Sequence, residues 1–583
     1  NFQVAMVICL LNLLIAAMIW FVAADRHRIL GLVGVLAMAV GWCIFCQRTD
    51  SWSQQISWGE FQLRHSQASI YGQISVVQLG ESISFYENGA LMFTHPDAMS
   101  AEEAVHFAML EHPMPERVLL IGGNVAGNLP QILQHPSVKQ VDFVLLDPTT
   151  IRLATRVLPE MDELLCDSRI RIWHEDGRLF VQRTTSRYDV VIVNLPEPQT
   201  ALINRFFTVE FYQAVKQKMS DRGVLSFAIP AAENVLSQEQ AWLLQCLHRT
   251  LQQVFPDVVL IPGNSIHFIG CLAPQVLIRD PDQLLQRLRE RQLQTAYVRE
   301  YYIPFRMSPD RMRYLAEQLQ PTDNTPINRD FRPIGYFYHS MLWLTFFHRQ
   351  FDDVLSASNR IAWMLVLMVG LLLAVLIGRK IIAASKQKNI RPAILLTIVA
   401  IGFTGISLEV LIILGFQAIY GYAYYQLALV ISGYMMGLAG GSWYGVRAIQ
   451  RQRGTILLFI RWQVALIFYP LLTFGVLFWL SKTALAAVMM QLVFLMVIVG
   501  AGFIAGVQFP LASHLTYRQQ EQVARIGGAL YAWDLLGAVL GALLTSTMMV
   551  PLLGLWQTCL LLAALNLLVI AVLVVVSVTT WRS

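Results

Sequence analysis

Hydrophobic positions along this chain follow two regimes. Toward both ends they form unbroken runs, and from about 47 to 360 they alternate with polar positions. Nine runs are long enough to cross a hydrocarbon layer as helices, at about 20 residues and 1.5 Å per residue. They are 4–23, 29–46, 361–378, 392–416, 423–443, 462–480, 484–507, 528–550 and 555–577. The first lacks a basic leader and another run follows after five residues, so it reads as a span and not as a signal peptide. The chain begins at Asn1, almost inside this run, and sequence upstream of it is expected.

The central block changes period. "RVLLIGG", "VDFVLLD" (141–147), "RIRIW" (169–173), "YDVVIVN" (188–194) and "GVLSFAI" (223–229) read as strands. Between them, helices are expected near 126–134, 148–160 and 208–219. Strands nearly all apolar and β-branched, alternating with helices, imply a mostly parallel sheet covered on both faces. Residues 57–96 differ, with short alternating strands and Gly and Asn turns, and predict a small antiparallel sheet.

Composition agrees with a membrane protein. Of 583 residues, 55% are hydrophobic and only 14% charged, less than a soluble chain of this size carries. The net charge of +5 is mild, and no block of like charges marks a nucleic-acid site. With nine crossings, fourteen Lys and Arg of the short loops and tail fall on one side, with Lys482 alone on the other. The positive-inside bias then puts those loops in the cytoplasm and the 47–360 block outside it. Seven cysteines form no framework. Cys43 and Cys46 make a C-x-x-C at the end of an apolar run, where packing is the simpler reading. Cys166, Cys246 and Cys271 show no metal-ligand spacing, and no metal is expected.

The order "ENGALMF", "VLLIGG", "HPSVKQVDFVLLDP", "DSRIRIWHEDGRLF", "YDVVIVNLPEP" and "RFFTVEFYQAV" resembles the spermidine synthase (aminopropyltransferase) family over about 60–270. The resemblance implies a Rossmann-like, methyltransferase-type fold, which "TPINRDFRPIGYFYH" (325–339) would close. Together with the helices, the chain resembles bacterial membrane proteins in which a transporter-like part is fused to a spermidine synthase-like domain.

The resemblance also assigns a site. Gly122, Gly123 and Gly127 match the loop that approaches the methionine end of decarboxylated S-adenosylmethionine, while Asn124 and Val125 replace its third glycine and its acid. Leu145 stands where an acid would grip the ribose hydroxyls. Losing a charged acceptor of that kind costs on the order of 1.5–3 kcal/mol. Asp147 keeps the family's second acid and faces the same way as Leu145 if the strand is regular. Asp176 matches the acid that reads the adenine amino group. In the catalytic stretch Asn194 replaces the general base, which a neutral amide cannot be, and Glu197 keeps the charge that would hold the polyamine. "NLPEP" also reads simply as a rigid turn, since each Pro fixes φ.

Glu409 and Asp534 are acids inside expected spans. A charge at that depth costs roughly 2.5–3.5 kcal/mol or more and needs a partner or water. They read either as a proton or cation site in a transport path or as protonated or paired carboxyls that hold helices together. Glycines in "GLAGGSWYG", "GAGFIAGVQFP" and "GGALYAWDLLGAVLGALL" let helices approach closely.

The expected architecture is a multi-pass α-helical membrane protein with an inserted α/β Rossmann-like domain. Residues 1–46 would be two helices ending a truncated membrane half, and 47–117 a linker with the small β subdomain. Residues 118–345 would be the spermidine synthase-like domain, 346–391 a connecting helix and basic loop, and 392–583 a six-helix transporter-like half. The function read from the sequence is that of an inner-membrane protein whose domain is degenerate and catalytically inactive. It would bind a polyamine-like ligand or protein partners, as part of a membrane complex, and carry no cofactor. A site that did hold one would take an S-adenosylmethionine-related nucleoside. Two alternatives stay open: a membrane-bound aminopropyltransferase, and a polyamine or cation transporter with a regulatory domain.

Overall fold

A computed structural model describes residues 55–347, 390–421, 424–453, 455–483, 487–517 and 523–581, with isolated positions before residue 35. Those isolated positions apart, the expected spans at 4–23, 29–46 and 361–378 lie outside the described residues, as does most of the basic loop after them.

The chain divides into two compact units, the first being residues 1–97 with 149–161. It holds a four-stranded antiparallel meander: β1 (Gln62–Ala68), β2 (Gln73–Leu79), β3 (Ser82–Glu87) and β4 (Ala90–His95). Asn88 and Gly89, both at positive φ, make the β3–β4 turn, because a two-residue hairpin loop matches the twist of its strands only with such residues. Phe85 and Phe93 stack with ring centroids 4.5 Å apart.

The second unit carries a seven-stranded mixed sheet. Its strands are β5 (Arg117–Ile121), β6 (Gln140–Val144), β7 (Ile170–Trp173), β8 (Tyr188–Val193), β9 (Met219–Pro230), β10 (Asp257–Ile261) and β11 (Ser265–Cys271). Their order is β10-β11-β9-β8-β5-β6-β7. β9, β8, β5, β6 and β7 run parallel, and β11 and β10 add an antiparallel edge. The apolar runs of β5 and β8 are buried because both have neighbours on each side, whereas edge strand β7 alternates in exposure. The strand order reverses between β5 and β8, so the crevice at their carboxyl ends is where such a sheet holds ligands.

One expectation is corrected. β6 stops at Val144 and does not reach residue 147, so Leu145 and Asp147 are not successive positions of one strand face. The chain turns there into the helix that begins at Pro148, whose φ favours a first helical turn.

Four helices of this unit bear on the crevice and its support: α1 (Ala98–Glu111), α2 (Val125–Leu133), α3 (Gly177–Arg183) and α4 (Ile334–Phe347). Between α1 and the end of α2, His106 Nδ1 meets His135 Nε2 at 3.0 Å, Gln131 holds His106 Nε2, and Arg291 reaches His135 Nδ1 at 3.0 Å. Burial pulls His106 down to about 4 and His135 to about 2, so both stay neutral.

The C-terminal part is α5 (Arg391–Tyr420), α6 (Tyr424–Gln450), α7 (Ile456–Lys482), α8 (Ala487–Thr516), α9 (Val523–Leu544, continued by a π turn to Leu553) and α10 (Leu555–Trp581). Among the described residues five helices are long and apolar enough to cross a membrane, which suggests a membrane protein. Of the expected span at 423–443, the residues from Tyr424 on are helical, as α6, but this helix is not among those five; glycine, serine and tyrosine take places that aliphatic residues hold elsewhere. Those glycines have a packing reason. A Cβ at Gly437, Gly441 or Gly445 would lie within 2.9 Å of the α8 backbone. Polar groups also cross the bundle: Gln463 bonds Asn566 at 2.8 Å, Asn566 bonds Thr404 at 2.8 Å, and Thr545 bonds Ser407 at 2.8 Å.

The segment 325–339 bonds residues of the α/β part and also meets the helices. Asn328 bonds Asn204 and the Phe207 carbonyl at 2.9 Å each. Three residues on, the Phe331 carbonyl accepts from Leu555 N at 2.8 Å, and Arg332 Nε donates to the Leu552 carbonyl at 3.0 Å.

Close helix contact makes neighbouring glycines unequal. Gly441→Ala forces α6 from α8 and is expected to cost about 1–3 kcal/mol, whereas at Gly440 the nearest atom to a new Cβ is 3.7 Å away and Gly440→Ala is expected to be neutral or better. Thermal unfolding of the detergent-purified chain compares them. The histidine pair adds a pH dependence. A histidine with a depressed folded pKa contributes stability that is full above about 6.5 and lost as the pH falls toward about 4. Each histidine removes up to about 1.4 kcal/mol per pH unit in that window. Replacing His135 with Gln is expected to flatten the fall in melting temperature between pH 7 and pH 4.5.

Candidate functional site

The Gly-rich turn joins β5 to α2. Gly122 and Gly123 take φ of 70° and 90°, which a side chain resists. Asn124 caps α2, its Oδ1 accepting from Gly127 N at 3.1 Å. At Gly127 a Cβ would meet Asn124 Nδ2 at 2.8 Å and Ala101 at 3.0 Å, so this glycine serves the cap and the packing of α1 on α2. Val125, at the position of the family's loop acid, is fully buried.

The space beside the two loop glycines is taken by the chain itself. A Cβ at Gly122 would lie 2.5 Å from Leu195 Cδ2, and one at Gly123 would lie 2.6 Å from Asn194 Nδ2. Asn194 is the residue that the resemblance aligns with the general base. Its amide donates to Asn128 Oδ1 at 3.1 Å, and the same oxygen accepts from Asn124 N at 2.8 Å. Asn128 Nδ2, fully buried, has no partner among the described residues, which leaves one donor in the crevice for an acceptor atom.

Two of the three acids that the resemblance retains, Asp176 and Glu197, are engaged. Asp176 caps α3, with Oδ1 accepting from Arg178 N at 3.0 Å and Leu179 N at 3.2 Å. Its Oδ2 pairs with Arg205, whose side chain is 2% exposed. Gly421, which ends α5 at φ 97°, lies over this pair; a Cβ there would be 2.9 Å from the Arg205 guanidinium and 3.0 Å from Asp176 Oδ2. Beside it Arg178 pairs with Asp330, which also accepts from Thr208 at 2.7 Å. Glu197 lies 3.3 Å from His339 Nε2 on α4, and Trp343 Nε1 reaches the same nitrogen at 3.0 Å. That nitrogen either accepts from the indole or, when protonated, pairs with Glu197.

Leu145 is buried and offers the ribose position no acceptor; Asp147 is buried one step further on. A nucleoside of the S-adenosylmethionine type, placed as the resemblance implies, would not fit these residues as they stand. Its adenine amino group would have to take Asp176 from Arg205, and its ribose would face a leucine. Among the described residues no group of three or more His, Cys, Asp or Glu is gathered to hold a metal ion. Cys166, Cys246 and Cys271 are free thiols.

Sequence reading missed Arg205, His339 and Asn128. A single cation inside the apolar "NRFFT" and a histidine inside "GYFYHS" were the available signals, since a buried charge is nearly always paired.

The fold and this site define residues 98–264 as a spermidine synthase-like domain, and they match the spermine/spermidine synthase domain. Among curated relatives, the polyamine aminopropyltransferase of Oceanobacillus iheyensis is 30% identical over 253 residues, 42% of this chain and 48% of that protein. That of Bacillus subtilis is 27% identical over 206 residues, 34% of this chain and 71% of that protein. The chain thus spans about half the length of the first of these relatives. A spermidine synthase solved in complex with the transition state analogue AdoDATO is 22% identical, with a TM-score of 0.39, over 44% of this chain and 88% of that one.

Removing one partner of a buried ion pair strands the other. Arg205→Met is expected to cost about 3–5 kcal/mol. Adding Asp176→Asn is expected to recover part of that loss, a non-additivity that unfolding of the single and double variants measures.

Proposed function

We propose that this protein is a polytopic membrane protein whose spermidine synthase-like domain binds and does not transfer. The observation that carries the reading is that the side chains at the three positions expected to meet ligand are each engaged by another residue of the chain. Asp176 is held by Arg205 and the α3 amides, Glu197 by His339, and Asn194 by Asn128. The residue at the position expected of a general base is Asn194, a neutral amide, and the one carboxylate of the stretch, Glu197, lies against His339. What remains suits a polyamine-like ligand at Glu197 or a protein partner in a membrane complex. The positive-inside bias supports an extracytoplasmic domain, away from the cytosolic supply of the cofactor.

Full-length protein given decarboxylated S-adenosylmethionine and putrescine is expected to release no methylthioadenosine, where an aminopropyltransferase releases one per transfer. Turnover abolished by Glu197→Gln would establish the transferase instead. For the side of the membrane, Ser66→Cys and Ser385→Cys are placed singly in a Cys-free chain and exposed in intact cells to a membrane-impermeant thiol reagent. Labelling of the first and not of the second is the expected pattern; the reverse places the domain in the cytosol.

A further inference from the structure

Away from the crevice, the helices hold three polar groups that nothing among the described residues satisfies. Glu409 on α5 is 8% exposed and Tyr434 on α6 is 6% exposed, while Asp534 on α9 is half-buried. Among the described residues none of the three side chains has a hydrogen-bond or ion-pair partner. They line one stripe of α5. A Cβ at Gly402 would lie 2.8 Å from Asp534 Oδ1, and one at Gly405 would lie 2.6 Å from the Tyr434 hydroxyl. Residues 402, 405 and 409 are spaced i, i+3, i+7, which is one face of a helix. Both carboxyls are within electrostatic reach of Tyr434.

The spacing selects the ligand. Seven residues at 1.5 Å each separate the level of Asp534 from that of Glu409 by about 10 Å. Carboxylates carried at levels about 10 Å apart suit a long ligand better than one metal ion, whose oxygen ligands sit at about 2.0–2.6 Å. An elongated molecule with a positive charge at each end can meet both. The tyrosine between them offers a ring face to a cation and a hydroxyl to an N–H. The glycines at 402 and 405 let the α9 backbone at Asp534 and the Tyr434 hydroxyl come up against α5, which sets both side chains on this stripe.

We propose that Asp534, Tyr434 and Glu409 form an intramembrane site for a linear organic dication, a diamine or polyamine, with an ammonium at each carboxyl. The site is separate from the crevice of the α/β domain and does not depend on whether that domain is a catalyst.

The test uses the full chain in lipid nanodiscs with radiolabelled putrescine and spermidine as probes. Saturable binding is expected, at least tenfold weaker for Glu409→Gln or for Asp534→Asn, and weaker by a smaller factor for Tyr434→Phe. Unlabelled diamines of increasing length are expected to compete with an optimum, and butylamine and sodium to compete poorly. This selectivity is read on the unaltered protein, so it tests the site even if a variant fails to fold. Absence of binding, equal competition by the monoamine, or binding indifferent to both acids overturns the proposal. So does binding lost in Glu197→Gln and kept in the acid variants, which would put the amine in the crevice.

Discussion

A carboxylate taken out of water must find a positive partner or a ring of donors, and Asp176 finds both. Its two oxygens are divided between the first turn of α3 and Arg205. The rest of the crevice is arranged around that pairing. Arg205 lies in the segment after β8, so holding Asp176 also holds the residues that follow "NLPEP". The end of α5 closes over the pair at Gly421, a position where a side chain would strike the guanidinium. Arg178, Asp330 and Thr208 extend the same logic one layer out, and Asp330 belongs to the segment whose neighbours bond α10 and the π turn. A charge pair at one end of a sheet thus becomes a point of attachment for the transmembrane-like helices.

The departures from the aminopropyltransferase pattern share a direction. Where the resemblance leads one to expect two acids, Val125 and Leu145 are buried and apolar, and where it leads one to expect a base, the Asn194 amide bonds Asn128. All three side chains face the protein. The loop glycines persist because the chain still needs them: positive φ at 122 and 123, and room for Leu195 and Asn194 against the turn. A glycine-rich loop is therefore compatible with a nucleotide site and equally with tight packing of the protein on itself.

The helical part is held by a different balance. In hydrocarbon there is little to gain from hiding apolar side chains, so close backbone contact and shared hydrogen bonds carry the association. Glycines along α6 meet α8, those of α9 meet α5, and Asn566 links three helices through Gln463 and Thr404. Against that background Glu409 and Asp534 are carboxyls, and Tyr434 a phenol near both, that the same bundle leaves without hydrogen-bond or ion-pair partners among its described residues.

Much was legible from residue order alone. The apolar β-branched runs marked the parallel strands, Asn88–Gly89 marked a hairpin, and the two glycines after β5 marked a turn at positive φ, because these are preferences of a few adjacent residues. The long uncharged runs marked helices for the same reason. What the tertiary structure decided was which groups meet. The end of β6 at Val144 was set by the turn into the next helix, not by the hydropathy of "VLLD". The partners of Asp176 and Glu197, Arg205 and His339, lie well downstream, and nothing local distinguishes them from other polar residues in apolar company. Period reports which side of an element avoids water. The choice of partner for a buried charge is made only when the elements pack, because it depends on distances that no stretch of sequence contains.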